Sequence, residues 1–469
     1  MDATALILSR IQFAFTISYH IIFPSFTIGV AAWLTVLEAL RLATGRPVYR
    51  RIFDFWLKIF GVVFGLGVVT GVVMAFEFGL NWSELARMSG PIQGPLLSYE
   101  TFTAFFLEAS FLGILLFGRE RVPPWFYLVS TALVALGTTF SAFWIMANNS
   151  WMQVPTGFAF RNGVFEPTDW SKILFNTVLW TRFPHMLLAS YLTGAFAAAA
   201  TGAWLLLRRT ARAEAHVMLN MGLYLAAVLV PAQILFGHLN GDYVHEYQPT
   251  KFAAIEGRWH DEQPASEVLV AIPDARHETN HLAISIPVLG SVIGSDSLTS
   301  KEVGLTDYPR QDRPPVFIPF WTFRAMVGCG LIMLALAWAG SILSGRGRLE
   351  QSRLLLWAIF LSYPLPFIAI VTGWFTAEVG RQPWVVYGML RTAKAVTPFL
   401  TAREALASLI LFVLVYAFIF SAGVFYLYRL FQAGPGGEIE QTHHGVPNRP
   451  MSIASQHPGD KPQTATEGA

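Results

Sequence analysis

The sequence is poor in cysteine and in charge, and each shortage excludes a class of protein. Its single cysteine, Cys329, lies within an apolar run, so intrachain disulfides, a C-x-x-C-H haem attachment and a four-cysteine iron–sulfur cluster are excluded. Charged residues make up only 13% of the 469 residues, about half the share of an ordinary soluble domain. The first residues carry neither a basic stretch nor a small-residue cleavage site, so we expect them to lead directly into a membrane span.

Long hydrophobic runs fill most of the chain. Hydrophobic residues make up 54% of it, and the mean hydropathy is +0.47. About 20 consecutive apolar residues cross a bilayer as a helix, and the runs are continuous rather than alternating, which argues against a β-barrel. We therefore predict an all-α polytopic membrane protein with about nine transmembrane helices. Their expected bounds are 12–40, 53–80, 95–118, 124–147, 179–207, 216–238, 318–344, 354–377 and 404–430.

Arginines are concentrated in every second connection between the predicted spans. The connections that follow spans one, three, five and seven are basic, which places them in the cytoplasm. The N-terminus is then outside and the C-terminus is cytoplasmic. The arginines concerned are Arg41, Arg46, Arg50, Arg51, Arg119, Arg121, Arg208, Arg209, Arg212, Arg346, Arg348 and Arg353.

The spans divide the chain into four regions. Residues 1–238 hold spans one to six, and residues 318–433 hold spans seven to nine. The polar stretch 239–317 is predicted to be a long external loop with a helix-like segment, TKFAAIEGRWHDE, and a short apolar segment, HLAISIPVLGSVIG, expected at the membrane interface. Residues 434–469 are predicted to be a disordered cytoplasmic tail.

Ionisable side chains inside membrane spans cost a few kcal/mol or more, so each one marks a functional-site hypothesis. By the predicted helix directions, all of them except Glu108 lie toward the outer face, in one layer with Met326. Histidine, methionine and carboxylate side chains at one depth indicate a site for haem iron. The ionisable residues concerned are His20, Glu100, Glu108, His185 and Glu378.

Glu100 and Glu108 form a separate pattern on one span. Eight residues along an α-helix correspond to about 12 Å along its axis and about 80° around it, which allows one polar track. Glu108 lies in the middle of the span with no basic residue nearby in sequence. A proton relay, a neutral buried acid and a partner on another helix all remain open for it.

Each of these residues also has an interpretation without iron. A single intramembrane histidine can simply hydrogen-bond between helices, and Met326 alone would be an ordinary core methionine. Glu378 and Arg381 fit an interfacial ion pair, and Glu100 fits a carboxylate stabilised by a helix N-terminus. A proton-coupled transporter that uses Glu100 and Glu108 is the non-enzymatic alternative, but it leaves the layer of histidine and methionine unexplained.

Histidine is too scarce in the spans for two other classes of membrane haem protein. Only His20 and His185 lie well inside predicted spans, with His216 and His238 at helix ends. A haem–copper oxidase needs several intramembrane histidines for copper and two haems. A bc-type cytochrome b needs paired histidines on two helices, and no predicted span contains such a pair.

Seven sequence blocks together resemble subunit I of cytochrome bd-type quinol oxidases. The similarity covers the chain except for the polar tail, and the blocks follow the family's order. GWF-x-AE-x-GRQPW is highly specific on its own. The blocks are SRIQFAFTISYHIIFPSFTIG, ETFTAFFLEASFLG, WIMANNSWMQVPTG, FPHMLLASYLTGA, TKFAAIEGRWH, FRAMVGCG and GWFTAEVGRQPW.

The resemblance implies iron ligands at four positions. His185 and Met326 match the axial pair of the family's low-spin haem b, a six-coordinate iron suited to electron transfer. His20 matches an axial ligand of one haem in the dioxygen-reducing pair, and Glu378 matches the ligand or close partner of the other. Which of the two haems takes which ligand stays open.

The resemblance also implies residues around these ligands. Arg324 and Trp374 match residues near the haems, and Arg381 in the GRQPW block is a further cofactor-binding candidate. Lys251 and Glu256 match the quinol-binding part of the external loop. Without the resemblance, a solvated charge pair would be the preferred interpretation of these last two residues.

The resemblance further implies a reaction and its participants. Glu100 matches a carboxylate at the oxygen-reducing pair and Glu108 a residue of the cytoplasmic proton path, which makes both catalytic candidates. The implied cofactors are two haems b and a third haem, d or b. Quinol would be oxidised at the outer face and dioxygen reduced to water with cytoplasmic protons, without pumping. The implied partners are subunit II of the oxidase and lipid of the bacterial cytoplasmic membrane, with a small accessory subunit as a further possibility and no nucleic acid.

The chain departs from the family pattern in two places. Only a short stretch separates IGSDSLTS from the seventh span, which is similar to the short-loop, cyanide-insensitive branch. This leaves haem d, an all-haem-b composition and the sensitivity to cyanide open. In MAFEFGLNW the carboxylate, Glu77, lies two positions later than in the related motif MEFQFGTNW, and no role is assigned to it.

Overall fold

The computed structural model describes residues 3–435, and long helices dominate them. Nine helical segments of this part are long and apolar enough to cross a membrane, which confirms the predicted all-α polytopic class. Apart from its first two residues, the predicted disordered tail 434–469 lies outside the described residues. The helices are α1 (Ala3–Thr44), α2 (Pro47–Leu80), α3 (Ser83–Glu100), α4 (Phe106–Phe117), α5 (Pro124–Gln153), α6 (Trp170–Leu174), α7 (Leu179–Arg208), α8 (Arg212–Tyr247), α9 (Pro249–Glu256), α10 (Leu289–Ser295), α11 (Phe317–Gly345), α12 (Arg353–Leu361), α13 (Leu365–Val379) and α14 (Ala402–Ala433).

Within residues 3–435, six short strands pair as three antiparallel hairpins in the connections between helices. The two short hairpins follow α5 and α13, and the longer one lies between α9 and α10. Each is confined to its own connection, so the strands do not alter the helical class. The strands are β1 (Phe158–Arg161), β2 (Val164–Pro167), β3 (Glu267–Asp274), β4 (Thr279–Ile286), β5 (Trp384–Val386) and β6 (Leu390–Arg391).

Several helices extend beyond the bounds expected from hydropathy. α8 continues to Tyr247, so the connection predicted to begin at residue 239 begins at 248. The third span begins at Ser83 rather than 95, and a π-helical turn, Thr101–Phe105, separates α3 from α4. Hydropathy detects only the stretch that matches the hydrocarbon layer. Backbone hydrogen bonding continues past that layer wherever the polar residues pack against neighbours.

The connection 248–316 has secondary structure of its own. α9 covers only the first half of the helix-like segment, TKFAAIE, and the residues GRWHDE that follow are not helical. The helix ends at Glu256, before Gly257, whose φ of +66° is the left-handed conformation that favours glycine. β3 and β4 pair along most of their length. The apolar segment HLAISIPVLGSVIG begins within β4 and ends within α10, so half of it belongs to a hairpin.

Two helices form the centre of the bundle. In the most apolar windows of the spans, 61% of residues are buried for α1 and 72% for the segment that contains α7, against 17–33% for the other seven. Lipid is as apolar as leucine, so membrane helices are held by close packing of small residues rather than by the hydrophobic effect. The run AFAAAATGA in α7 supplies such a surface.

α1 and α7 approach each other backbone to backbone at one crossing. A Cβ on Gly29 would lie 2.3 Å from the carbonyl oxygen of Ser190, and one on Gly194 would lie 2.8 Å from the carbonyl carbon of Gly29. Neither position has room for a side chain. The crossing therefore sets the separation of the two central helices.

Ion pairs join the connections at the end of the bundle opposite the 248–316 segment. Glu38 has a side chain that is 0% exposed and pairs with Arg41 at 2.7 Å and with Arg119 at 3.2 Å. Arg212 pairs with Glu350 at 2.7 Å between two further connections. These basic connections are the ones that the arginine pattern assigns to the cytoplasm.

Replacing Gly194 by alanine should lower the thermal stability of the purified protein. The added methyl group overpacks a backbone contact, which costs about 1–3 kcal/mol. The matched control is Gly65→Ala on α2, where a Cβ would meet nothing within 4 Å. Thermal unfolding in one detergent would check this, and equal midpoints for the two variants would contradict it.

Candidate functional site

His20 is held in one orientation by α2. Its Nδ1 lies 3.0 Å from Oγ1 of Thr70, and that hydroxyl lies 2.9 Å from the carbonyl oxygen of Leu66. Because the hydroxyl has one proton and donates it to the carbonyl, it accepts a hydrogen bond from Nδ1–H of His20. The lone pair of the ring is then on Nε2, as in an axial iron ligand whose other nitrogen is hydrogen-bonded.

His185 has one ring nitrogen that the protein does not satisfy. Its Nε2 lies 3.2 Å from the amide nitrogen of Gln233, while its Nδ1 and the amide oxygen of Gln233 are buried without partners. Exchanging the oxygen and nitrogen of that amide still leaves one ring nitrogen unpaired. An unpaired buried nitrogen is costly unless it binds a group other than protein, so this donor set fits an iron ligand.

Three of the four predicted iron ligands lie against a helix glycine. A Cβ on Gly71 would lie 3.2 Å from the His20 ring, one on Gly237 would lie 3.3 Å from the His185 ring, and one on Gly373 would lie 2.8 Å from the Met326 sulfur. Larger residues would push these side chains away from the neighbouring helix. The fourth predicted ligand, Glu378, is held by charge instead.

Glu378 lies at the end of α13 in a network of buried polar side chains. Its Oε1 accepts hydrogen bonds from Asn149 at 2.9 Å and from Gln153 at 3.0 Å, both on α5. Its Oε2 pairs with Arg381, and Arg182 of α7 donates to the side chain of Asn149. Three helices thus fix one carboxylate.

Lys251 belongs to the same network. It is only 4% exposed, and its Nζ donates to Gln153 at 3.2 Å and to Gln248 at 3.0 Å. Burial and the nearby Arg182 guanidinium hold the pKa of Lys251 well below its usual value.

Basic groups outnumber the single carboxylate in this network. The guanidinium groups of Arg182 and Arg381 both act on Glu378, so two positive charges face one carboxylate even without Lys251, and two guanidinium nitrogens of Arg381 are buried without partners. Such a surplus of buried donors is costly without an anion. The two propionates of a haem are anions of this kind, so the charge balance fits the cofactor.

These contacts gather three predicted ligands into one region. On α7, His185 follows Arg182 by one helical turn. On α13, Glu378 follows Gly373, the residue against Met326, by five positions. Because Arg182 and Glu378 share Asn149, the ligands on α7, α11 and α13 surround one polar centre.

Trp374 connects this region to α1. Its ring lies 6.1 Å from that of Phe13, two helical turns before His20. Trp374 is also next to Gly373 in sequence. The side chain of this tryptophan therefore lies where α13, which also carries Glu378, packs against α1, which carries His20.

Glu100 and Glu108 face the same helix, for a reason that the sequence did not show. The π-helical turn Thr101–Phe105 lies between them and acts like one inserted residue, so the angle between them falls from the expected 80° to about 20°. Glu100 accepts a hydrogen bond from Ser141 at 2.8 Å. A Cβ on Gly137, one turn earlier on α5, would lie 2.7 Å from Cγ of Glu108.

The donors of Arg324 are directed to the 248–316 segment. It donates to the carbonyl oxygens of Ile255 at 2.8 Å and Leu269 at 2.9 Å, and its guanidinium lies 3.5 Å from the Phe320 ring centroid. It also lies 3.4 Å from the Glu267 carboxylate. Arg324 thus ties the loop to α11, and its place beside a haem stays a prediction.

Lys251 and Glu256 do not form the solvated pair that the sequence alone favoured. Both are buried, and Lys251 bonds to Gln153 and Gln248. Glu256 instead lines a cavity of about 230 Å³ together with Asn280. The two residues lie five positions apart on α9, which places them on different sides of the helix.

Haem iron is compatible with this ligand distribution. Among residues 3–435, no three His, Cys, Asp or Glu side chains group as ligands of a bare metal ion. A haem does not need such a group, because its macrocycle supplies four ligands and the protein only one or two.

The match to a family model decides the classification. The model described as Cytochrome bd terminal oxidase subunit I matches residues 8–435. The chain belongs to this family. Membership confirms the predicted family and the predicted enzyme class, a quinol:oxygen oxidoreductase of the respiratory chain with haem cofactors.

Relatives and a solved structure agree along nearly the full length of this subunit I. Cytochrome bd ubiquinol oxidase subunit 1 of Bacillus subtilis is 35% identical over 94% of this chain and 96% of its own. Cytochrome bd-II ubiquinol oxidase subunit 1 of Escherichia coli is 34% identical over 91% of this chain and 96% of its own. The bd oxidase structure from Geobacillus thermodenitrificans has a TM-score of 0.86 and 30% identity, covering 93% of this chain and all of that one.

Sequence reasoning missed several residues of this bd oxidase subunit. Asn149 and Gln153 lie in the recognised block WIMANNSWMQVPTG, and Arg182 is an arginine at the start of a span, so a signal existed for these three. Thr70 and Gln233 are ordinary helix residues in sequence. Only the packing of α1 on α2 and of α7 on α8 shows their contacts with the histidines.

Replacing Gly373 by alanine should displace the Met326 thioether. We expect the reduced-minus-oxidised spectrum to lose part of its low-spin haem b band, and the midpoint potential of that haem to shift, because the sulfur can no longer approach its position. Met326→Leu should lose the same band entirely, while the Gly65→Ala control keeps it. A wild-type spectrum and potential for Gly373→Ala would overturn the assignment of Met326.

Proposed function

We propose that this subunit, with a second membrane subunit, oxidises quinol at the 248–316 segment and reduces dioxygen to water with protons from the other side of the membrane. The observation that carries the proposal is the buried network in which Gln153 bonds to both Glu378 and Lys251. It joins a predicted iron ligand to the predicted quinol loop. The relatives named above are ubiquinol oxidases by name, and both ubiquinol and menaquinol fit the proposal.

Four side chains are proposed to hold three haems. His185 and Met326 bind one haem b, and His20 and Glu378 bind the two haems at which dioxygen reacts, one of them b and the other d or b. Bound haem supplies one-electron transfer and binding of dioxygen. The surplus positive charge of Arg381 and its neighbours holds the propionates.

Glu256 is the proposed proton acceptor for quinol. It is 4% exposed, and it lines the cavity in the loop. A quinol hydroxyl that donates to this carboxylate can pass on its proton as its electron leaves. Lys251 has a different proposed task, since it holds Gln153 and thereby the hydrogen bond from Gln153 to Glu378.

Glu108 and Glu100 are proposed to carry protons to the oxygen site. They face α5 on one side of their helix, and Glu108 is the deeper of the two along the span. The basic connections at the far end of the bundle support a cytoplasmic position for that end. Electrons that come from the outer side and protons that come from the cytoplasm then combine at the oxygen site, which moves charge across the membrane without pumping. The free energy needed to move each charge against a potential of 100 mV is about 2.3 kcal/mol.

The outer helices are proposed to face lipid and subunit II in the bacterial cytoplasmic membrane. Only 17% of the most apolar window of α14 is buried within this chain, and aromatic residues such as Phe418 are 77% exposed. Apolar faces of this kind need either lipid or a second apolar surface. A small accessory subunit would use the same faces.

The haem composition is tested by a dithionite-reduced minus air-oxidised spectrum of the purified complex with pyridine haemochrome analysis. We expect haem b signals, either with a red-shifted chlorin band, which identifies haem d, or alone, which identifies the all-b form. A complex without haem would contradict the oxidase and leave a proton-coupled transporter.

Replacing Glu108 by glutamine should slow turnover at least about tenfold, because an amide cannot relay a proton. The haem spectra should remain close to those of the wild type. The control is Glu120→Gln, a carboxylate whose side chain is 84% exposed. Oxygen consumption and spectra on the same samples check this, and loss of haem from Glu108→Gln would make the residue structural instead.

A further inference from the structure

Two buried carboxyl groups meet in the 248–316 segment. Glu256 ends α9 and is 4% exposed, and Glu267 begins β3 and is 7% exposed. Arg324 links the two residues, because it donates to the backbone carbonyl of Ile255, next to Glu256, at 2.8 Å and lies 3.4 Å from the Glu267 carboxylate. Each has a buried oxygen, Oε2, to which no donor of the protein is directed. Two carboxyl groups in this arrangement bond to each other only if one of them holds a proton.

The charges around the pair do not balance without that proton. The Glu267 carboxylate lies 3.4 Å from Arg324, and Arg258 lies 3.9 Å from Glu302. All three carboxyl groups and Arg258 are at most 7% exposed. Glu302 has a second partner, because its carboxylate lies 2.9 Å from Nε2 of His245. The shortage of positive charge therefore falls on Glu256 and Glu267, since two buried carboxylates that face the one guanidinium of Arg324 leave one negative charge unpaired, which is expensive. One bound proton makes the unit neutral.

The environment assigns this proton to Glu267. Burial, followed by the hydrogen bond and the charge of Glu256, raises the pKa of Glu267 to about 9, against the opposing charges of Arg324 and Arg258. Of the groups that act on Glu267, Arg324 belongs to α11, Glu256 belongs to α9, and Arg258 follows α9 in the chain. At neutral pH, Glu267 is therefore the donor and Glu256 the acceptor.

We propose that Glu267 is a positioning residue for quinol oxidation: its carboxyl group donates a hydrogen bond to Glu256 and orients the Glu256 carboxylate toward the quinol cavity. The inference rests on the proposed function of the loop. Glu256 lines the cavity, as do Ser266 and Val268 on either side of Glu267. Glu267 thus acts through Glu256 rather than on the substrate.

The pair also accounts for the fate of the substrate proton. When the O–H bond of a quinol hydroxyl breaks, its proton passes to the Glu256 carboxylate and its electron enters the oxidase. The buried unit then carries one positive charge in excess, which favours release of a proton. A unit that is neutral before each transfer returns to neutrality after it.

The experiment compares Glu267→Gln, Glu267→Ala, Glu256→Gln and the Glu256→Gln/Glu267→Gln double variant in the intact oxidase. The control is Asp274→Asn on the same strand, whose carboxylate pairs with His277 at 2.7 Å in the hairpin turn. Initial rates with a short-chain quinol, corrected for its spontaneous oxidation, give kcat and KM across pH. Reduced spectra confirm that each variant retains its haems.

The pH profile should separate positioning from a merely structural role. In the wild type, kcat/KM should fall as the pH rises through about 9, because Glu267 loses its proton and its negative charge then opposes that of Glu256. Glu267→Gln keeps a donor and cannot ionise, so this alkaline fall should disappear while the neutral rate stays near wild type. Glu267→Ala removes the donor and should raise KM by roughly tenfold.

Two further readouts decide the outcome. The infrared difference spectrum between the wild type and Glu267→Gln at neutral pH should show the loss of one protonated-carboxyl component. The double variant should be no worse than Glu256→Gln alone. If Glu256→Gln leaves quinol kinetics unchanged, the proposed function of the loop fails. If Glu256→Gln impairs them but Glu267→Gln keeps the alkaline fall and Glu267→Ala keeps the wild-type KM, only the role of Glu267 fails.

Discussion

The hydrogen bonds of the buried Glu378 carboxylate are the interaction on which the arrangement of the bundle near the 248–316 segment depends. The carboxylate is bonded by Asn149 and Gln153 of α5 and by Arg381 at the end of its own helix, and Gln153 extends the network to Lys251. Removing one member would leave a charge or an amide unpaired in a low-dielectric environment. With Arg182 of α7, which donates to Asn149, four segments distant in sequence are held together by this constraint.

Close packing of glycines positions the candidate functional side chains as well as the helices. Gly71, Gly237 and Gly373 lie against His20, His185 and Met326, and Gly137 lies against Glu108. In a membrane, small residues first of all let helices approach. Here each of these glycines also leaves room for one side chain of a neighbouring helix, and the close contact limits the orientations of that side chain.

Much of the fold could be predicted from the sequence, and candidate site residues could be named from it, because both follow from local signals. Apolar runs give the spans, and an ionisable residue inside one is conspicuous. Two kinds of feature could not be predicted from the sequence: contacts between residues distant in the chain, and local irregularities of a helix. The π-helical turn before Glu108 is an example, since it moves Glu100 to the same face and has no signature in ETFTAFFLEAS. Glu267 is another, because its partner Glu256 lies on a different element and the hairpin alone brings them together.

The two polar centres near the 248–316 segment handle charge in opposite ways. Around Glu378, the guanidinium groups of Arg182 and Arg381 outnumber the carboxylate, so the centre favours anions. Around Glu256, carboxyl groups exceed guanidinium groups, so the centre binds a proton. In the proposed function, a proton that quinol gives to Glu256 is repelled from the Glu378 centre by the guanidinium groups of Arg182 and Arg381 that surround that carboxylate. This difference in charge would separate the path of the quinol proton from the proposed site of oxygen reduction.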